Sequence, residues 1–80
     1  MDIDTARSNV RSAFRIAADL QALLPFLKQR CDADEYRTYA MDIAKAVDAV
    51  NVALLDRSIK AFPELVREIE QQIDAQGRYV

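Results

Sequence analysis

The 80-residue sequence contains no histidine and no tryptophan, and it has one cysteine, one glycine and two prolines. The absence of histidine excludes imidazole acid–base catalysis, histidine-containing triads and histidine-ligated metal sites. A single cysteine also excludes a framework of disulfides within the chain. We therefore assign no catalytic, cofactor-binding or metal-ligating residue and expect no cofactor.

Long apolar runs are also absent, since no segment reaches the ~18–20 residues that a membrane span needs. The opening residues Met1-Asp2-Ile3-Asp4 do not resemble a secretion signal, so we expect a cytoplasmic protein without membrane contact. The formal net charge of −2 argues against non-specific binding to nucleic acid.

Apolar residues recur at helical spacing almost throughout, which predicts a single all-α domain over residues 1–80. The first predicted helix covers about 4–29, and its apolar residues follow a strict heptad seam. The seam consists of Ile3, Ala6, Val10, Ala13, Ala17, Leu20, Leu24 and Leu27. Pro25 either kinks this helix or splits it into two, and the unbroken seam favours the kink.

A second helix is predicted from about 33 to 61, where glycine and proline are absent. Asp32 and Glu35 have the spacing of a capping box at its start. The helix carries two apolar stripes, as expected for a helix between two neighbours. One stripe consists of Tyr36, Ala40, Ile43, Val47, Val50 and Leu54, and the other of Met41, Ala44, Val52, Leu55, Ile59 and Phe62.

The third predicted helix is shorter, covering about 63–76. Pro63 suits the first position of a helix, and Gly77 suits the residue just after its end. The last three residues, 78–80, are expected to form a loose tail.

Helix lengths indicate an elongated arrangement. The second helix would be about 43 Å long at 1.5 Å per residue, whereas a compact chain of this size is only about 30 Å across. We therefore expect a long antiparallel helical hairpin with the shorter third helix covering one half of it.

The other half of this hairpin, near its connecting turn, would keep an apolar surface without cover. Exposed patches of this kind mark interaction surfaces, and self-association is the simplest way to cover one. We therefore expect a homodimeric helical bundle, while the alternative is a bent three-helix monomer that the Pro25 kink closes. The predicted interface residues are Ile16, Leu20, Leu23, Phe26, Leu27, Tyr36, Tyr39, Met41 and Ile43.

Arg7, Arg11 and Arg15 form a basic row along the first helix at i, i+4 and i+8. Such a row suits an anion or an acidic partner. The favoured alternative is a solvated face that pairs with the acidic third helix, namely with Glu64, Glu68 and Glu70.

Three further polar residues have two interpretations each. Cys31 precedes a helix start, where a thiolate is favoured, but an ordinary loop cysteine is the expected role. Asp48 and Asn51 interrupt the apolar part of the second helix, where they either fix register or lie at the wet edge of a core.

These patterns predict a small non-enzymatic protein-interaction module: a homodimeric adaptor, chaperone or regulatory binding protein that binds itself and another protein. The alternative is a nucleic-acid-associated regulator that uses the arginine row. A carboxylate-based enzyme is the third possibility. The partner's identity, the pathway and the choice between dimer and higher oligomer do not follow from the sequence.

Overall fold

The computed structural model describes residues 1–79, which form an all-α structure without a strand. Two long helical rods are followed by a short one. The helices are α1 (Ile3–Arg30), α2 (Ala33–Val50), α3 (Arg57–Ala61) and α4 (Leu65–Gln76), with a π-helical segment (Asn51–Asp56) between α2 and α3. Because α2, the π segment and α3 follow one another without a break, residues 33–61 form one continuous rod.

The first rod begins at a side-chain cap and continues through its proline. The backbone N–H of Thr5 donates to Asp2 Oδ1 at 2.7 Å, which satisfies one of the free amides at the helix start. Pro25 lies inside α1, so the chain forms one helix here rather than two. The helix ends at Cys31, whose N–H donates to the carbonyl of Leu27 at 2.9 Å.

The predicted capping box is confirmed at the start of α2. The N–H of Glu35 donates to Asp32 Oδ1 at 2.8 Å, and the N–H of Asp32 donates to Glu35 Oε1 at 3.3 Å. Only Cys31 and Asp32 separate the two rods, and α1 packs against α2, the π segment and α3.

The π segment changes which apolar stripe of the second rod faces the core. The apolar spacing of the sequence did not predict this segment. If the rod were α-helical throughout, the stripe that contains Val50 and Leu54 would continue at residues 58 and 61. After the π segment the core is contacted by Leu55, Ile59 and Phe62, and Ser58 is fully buried as well, while Ala61 is exposed. A π turn accommodates one extra residue, which brings residues of the second predicted stripe to the core beside position 58 of the first.

The last helix begins two residues later than predicted, because Pro63 and Glu64 lie in the turn before α4. The N–H of Leu65 donates to the carbonyl of Phe62 at 3.0 Å within this turn. Gly77 ends the helix as predicted: its φ of 76° is left-handed, and its N–H donates to the carbonyl of Ile73 at 2.7 Å.

The hydrophobic core lies at the α4 end of the molecule. Its buried cluster consists of Ala6, Val10, Leu65, Ile69 and Tyr79, with Ile3, Phe14, Leu55, Ile59 and Phe62 packed around it. The expectation of a loose tail is therefore wrong for Tyr79, whose ring packs against Phe14 at 6.0 Å between centroids. Val80 lies outside the described residues.

The molecule is a thin, elongated slab. Its Cα atoms extend over 44 × 25 × 14 Å, and the radius of gyration is 14.9 Å, compared with about 12 Å for a compact chain of this length. Within residues 1–79 no helix is both long enough and apolar enough to cross a membrane.

Candidate interaction surface

The end of the molecule near the Cys31–Asp32 connection has no buried core. The eighteen-residue helix α2 contains no buried residue. In α1 the buried residues are Ala6, Val10 and Ala13, all in the half that lies under α4. The apolar side chains from Ile16 to Leu27 and from Tyr36 to Val50 therefore keep contact with solvent.

All nine predicted interface residues lie at this end, and each is at least partly accessible. Ile16, Leu23, Phe26, Tyr39 and Met41 are exposed, whereas Leu20, Leu27, Tyr36 and Ile43 are half-buried. None of them belongs to the core cluster. In water such a surface favours association, since each Å² of apolar area removed from solvent contributes roughly 25 cal/mol.

A groove of about 670 Å³ lies on one side of this end, and small residues form much of its wall. We call it the alanine groove. It is lined by Lys28, Cys31, Asp32, Ala33, Tyr36, Arg37, Ala40, Met41 and Ala44. Of the nine predicted interface residues, Tyr36 and Met41 line this groove and the other seven do not. The three alanines were not predicted as site residues, although Ala40 and Ala44 each belong to an apolar stripe.

Charged residues border the apolar surface without filling it. Arg37 forms a long, solvent-exposed ion pair with Asp34, 3.5 Å between the charged atoms. The guanidinium of Arg30 lies 4.7 Å from the centre of the Phe26 ring, a cation–π contact that covers part of this aromatic side chain.

One arginine of the row, Arg7, is ion-paired within the chain. Arg7 Nε donates to both carboxylate oxygens of Glu68 at 3.1 Å, and its Nη1 donates to Asp4 at 2.9 Å. The hydrogen bond to Glu68 is the main reason why the pKa of Arg7 is raised. The expected pairing between this row and α4 is therefore found at Glu68. Within residues 1–79 no ion pair joins the row to Glu64 or Glu70.

The other two arginines of the row make weaker contacts. The guanidinium of Arg11 lies 5.5 Å from the centre of the Tyr79 ring. Arg15 donates to Ser12 Oγ at 3.4 Å, a long hydrogen bond. Neither contact neutralises charge, so both guanidinium groups keep their positive charge at the surface.

A second groove, of about 660 Å³, separates α1 from the end of α4. It is lined by Arg11, Phe14, Arg15, Ala18, Asp19, Ile73, Gly77, Arg78 and Tyr79. The Tyr79 hydroxyl donates to Glu68 at 3.4 Å, and burial is the main cause that raises the pKa of this phenol. Tyr79 therefore lines this groove and also contacts Glu68 of the Arg7–Glu68 ion pair.

The remaining candidate residues are Cys31, Asp48 and Asn51. Cys31 is a half-buried free thiol beside the alanine groove. Asp48 is exposed, which fits the wet edge of the helix, and half-buried Asn51 is the first residue of the π segment. In the part of the chain that the structure describes, no three cysteine, aspartate or glutamate side chains are placed to hold a metal ion.

Comparisons with protein-family models, with curated proteins and with solved structures find no match to this chain.

Proposed function

We propose that this protein is a non-enzymatic protein-interaction module of the cytoplasm, which acts as a homodimeric adaptor, chaperone or regulatory binding protein. In this proposal α1 and the second rod form a long antiparallel hairpin, and two hairpins pair as a helical bundle. One observation carries the proposal: the eighteen residues of α2 include no buried side chain, although the helix has apolar residues at core spacing.

The physical argument concerns the stability of α2. An isolated helix of this length is marginal in water, and most helical stability in proteins comes from packing of an apolar face. In the single chain α2 packs on α1, and neither contributes a buried side chain at this end. A second chain would supply the missing layer, and the alanine groove would remain a place for another protein.

The nucleic-acid alternative has less support because Arg7 is paired with two carboxylates and Arg11 lies over Tyr79. Retention on DNA or RNA at ~50 mM salt that disappears at higher salt would support this alternative. The carboxylate-based enzyme remains the third possibility.

The proposal is tested by the absolute mass in solution, measured by light scattering over a hundredfold range of concentration. We expect a mass near twice 9.1 kDa at the upper concentrations. A well-folded chain that stays at 9.1 kDa throughout would contradict the homodimer. In that case the open surface would have to be covered by a different protein.

A further inference from the structure

We infer that a second copy of this chain covers the side of the hairpin opposite α4, through one apolar face built from both rods. This inference rests on the proposed homodimer and assigns the side on which it forms. We call this side the seam face. Its α1 stripe consists of Ile16, Leu20, Leu23 and Leu27. Its second stripe consists of Tyr39, Ile43, Ala46 and Val50.

Both stripes have the same spacing, 4, 3 and 4 residues, which keeps each one on a single side of its helix. Each stripe combines residues of the seam between the rods with residues that lie one position before it. Ile16 and Leu23 precede the seam residues Ala17 and Leu24 by one position, and Tyr39 precedes Ala40 in the same way.

Helices joined by only two residues run in opposite directions when they pack together. In an antiparallel pair of helices, the residues one position before the seam lie on the same side of the pair in both helices. The two stripes therefore form one continuous face.

The helix α4 lies on the other side. Arg7 and Phe14, which contact Glu68 and Tyr79, each follow a buried residue of α1 by one position. Lys28, Met41 and Ala44 of the alanine groove follow seam residues in the same way. The groove and α4 consequently share one side. On the seam face Ile16, Leu23 and Tyr39 are exposed, while the other five side chains are half-buried.

The accessible surface area of the chain indicates how large an interface with a partner would be. The chain exposes 5751 Å², whereas a compact monomer of its mass would expose roughly 4,900 Å². The excess, roughly 850 Å² per chain, is close to the ~800 Å² that each partner buries in a standard protein interface.

A second copy fits this requirement better than a smaller ligand. Stable domains consist of two packed layers, and near the Cys31–Asp32 connection the hairpin lacks a second layer, since α2 contains no buried side chain. A two-fold axis would place the same eight apolar side chains of each copy against one another, which gives a four-helix core without any further sequence requirement.

The test compares two matched aspartate substitutions by sedimentation velocity over a concentration series. Leu23 lies on the seam face and is 46% exposed, whereas Met41 lies beside the alanine groove and is 56% exposed. Leu23→Asp should raise the dimer dissociation constant by at least about a hundredfold, because it leaves an unpaired charge in an apolar contact. Met41→Asp should change it by less than about threefold.

Tyr39→Asp repeats the test from the other rod and should behave like Leu23→Asp, so the inference remains testable if one variant does not fold. Helical circular dichroism establishes folding for each variant. A dimer that tolerates both seam substitutions, or that only Met41→Asp dissociates, would overturn the assigned face and leave the homodimer standing. A wild-type chain that is monomeric throughout would overturn both.

Discussion

Arg7 and Glu68 are 61 positions apart in sequence, and their side chains join the start of α1 to the first turn of α4. Arg7 Nε lies 3.1 Å from each of the two carboxylate oxygens. The Tyr79 hydroxyl shares the same carboxylate at 3.4 Å. The three side chains thus hold α4 and the end of the chain against α1 beside the hydrophobic core.

Arg7→Lys should loosen this contact while keeping the charge. A lysine ammonium cannot reproduce the fixed donor geometry of a guanidinium, so the link between α1 and α4 should weaken. We expect the melting temperature to fall by a few degrees and the near-ultraviolet dichroism of Tyr79 to decrease. Arg67→Lys, in α4 itself, is the matched control and should leave both signals unchanged.

A double variant distinguishes the stabilisation by the Arg7–Glu68 ion pair from general effects of charge. If the contact acts as a unit, Glu68→Gln added to Arg7→Lys should lower the melting temperature by less than the sum of the two single changes. Additive effects would show that the two side chains stabilise the protein independently.

Leu65 should be the most sensitive position of α4. Its side chain is fully buried in the core cluster, so Leu65→Ala removes apolar contacts and leaves a cavity. We expect a loss of about 2–5 kcal/mol in the free energy of unfolding, measured by urea denaturation. Val66→Ala, one position later at an exposed site, should cost less than about 0.5 kcal/mol. Equal losses would contradict the position of the core.

The two aspartate caps should make stability depend on pH in the acid range. Hydrogen bonds from Thr5 lower the pKa of Asp2 below its usual 3.8, and the backbone hydrogen bond from Glu35 does the same for Asp32. Because the folded-state pKa lies below the unfolded one, the stabilisation is fully present above the usual value. It is lost as the pH falls through the lower folded value.

Asparagine caps a helix as well as aspartate but carries no charge. In the double variant Asp2→Asn, Asp32→Asn the free energy of unfolding should therefore fall less between pH 5 and pH 2 than in the wild type. A double variant as acid-sensitive as the wild type would show that other carboxylates cause the loss.

Helix content and two of the helix ends could be predicted from local chemistry. The Asp32–Glu35 box and Gly77 act within a few residues, and the structure has both in their expected roles. Tyr79 was predicted wrongly because its burial depends on Phe14 and Glu68, which are distant in sequence. The pairing of Arg7 with α4 was expected, but Glu68 could not be chosen over Glu64 or Glu70 without the orientation of the helix.

The interface residues, too, could be predicted only as far as local apolar spacing allows. The nine interface residues were predicted together because all are apolar and lie near the connection. Only the packed structure separates Met41 and Tyr36, beside the alanine groove, from Leu23 and Tyr39. This separation depends on rotation about the helix axes, which apolar spacing alone defines poorly once a helix carries two stripes.

The π segment offers a test of how the second rod keeps its register. Since a π turn accommodates one extra residue, removing one residue from it should restore an ordinary α-helix in which Leu55 and Ile59 still face the core. Deletion of Val52, which is 58% exposed, should therefore leave a cooperative unfolding transition with a free energy within about 1 kcal/mol of wild type. Deletion of Ala44, an exposed residue of α2, should cost more, because it turns the residues between it and the π segment by about 100° relative to α1. If the Val52 deletion is the more damaging of the two in urea denaturation, the π segment does not act as a one-residue insertion.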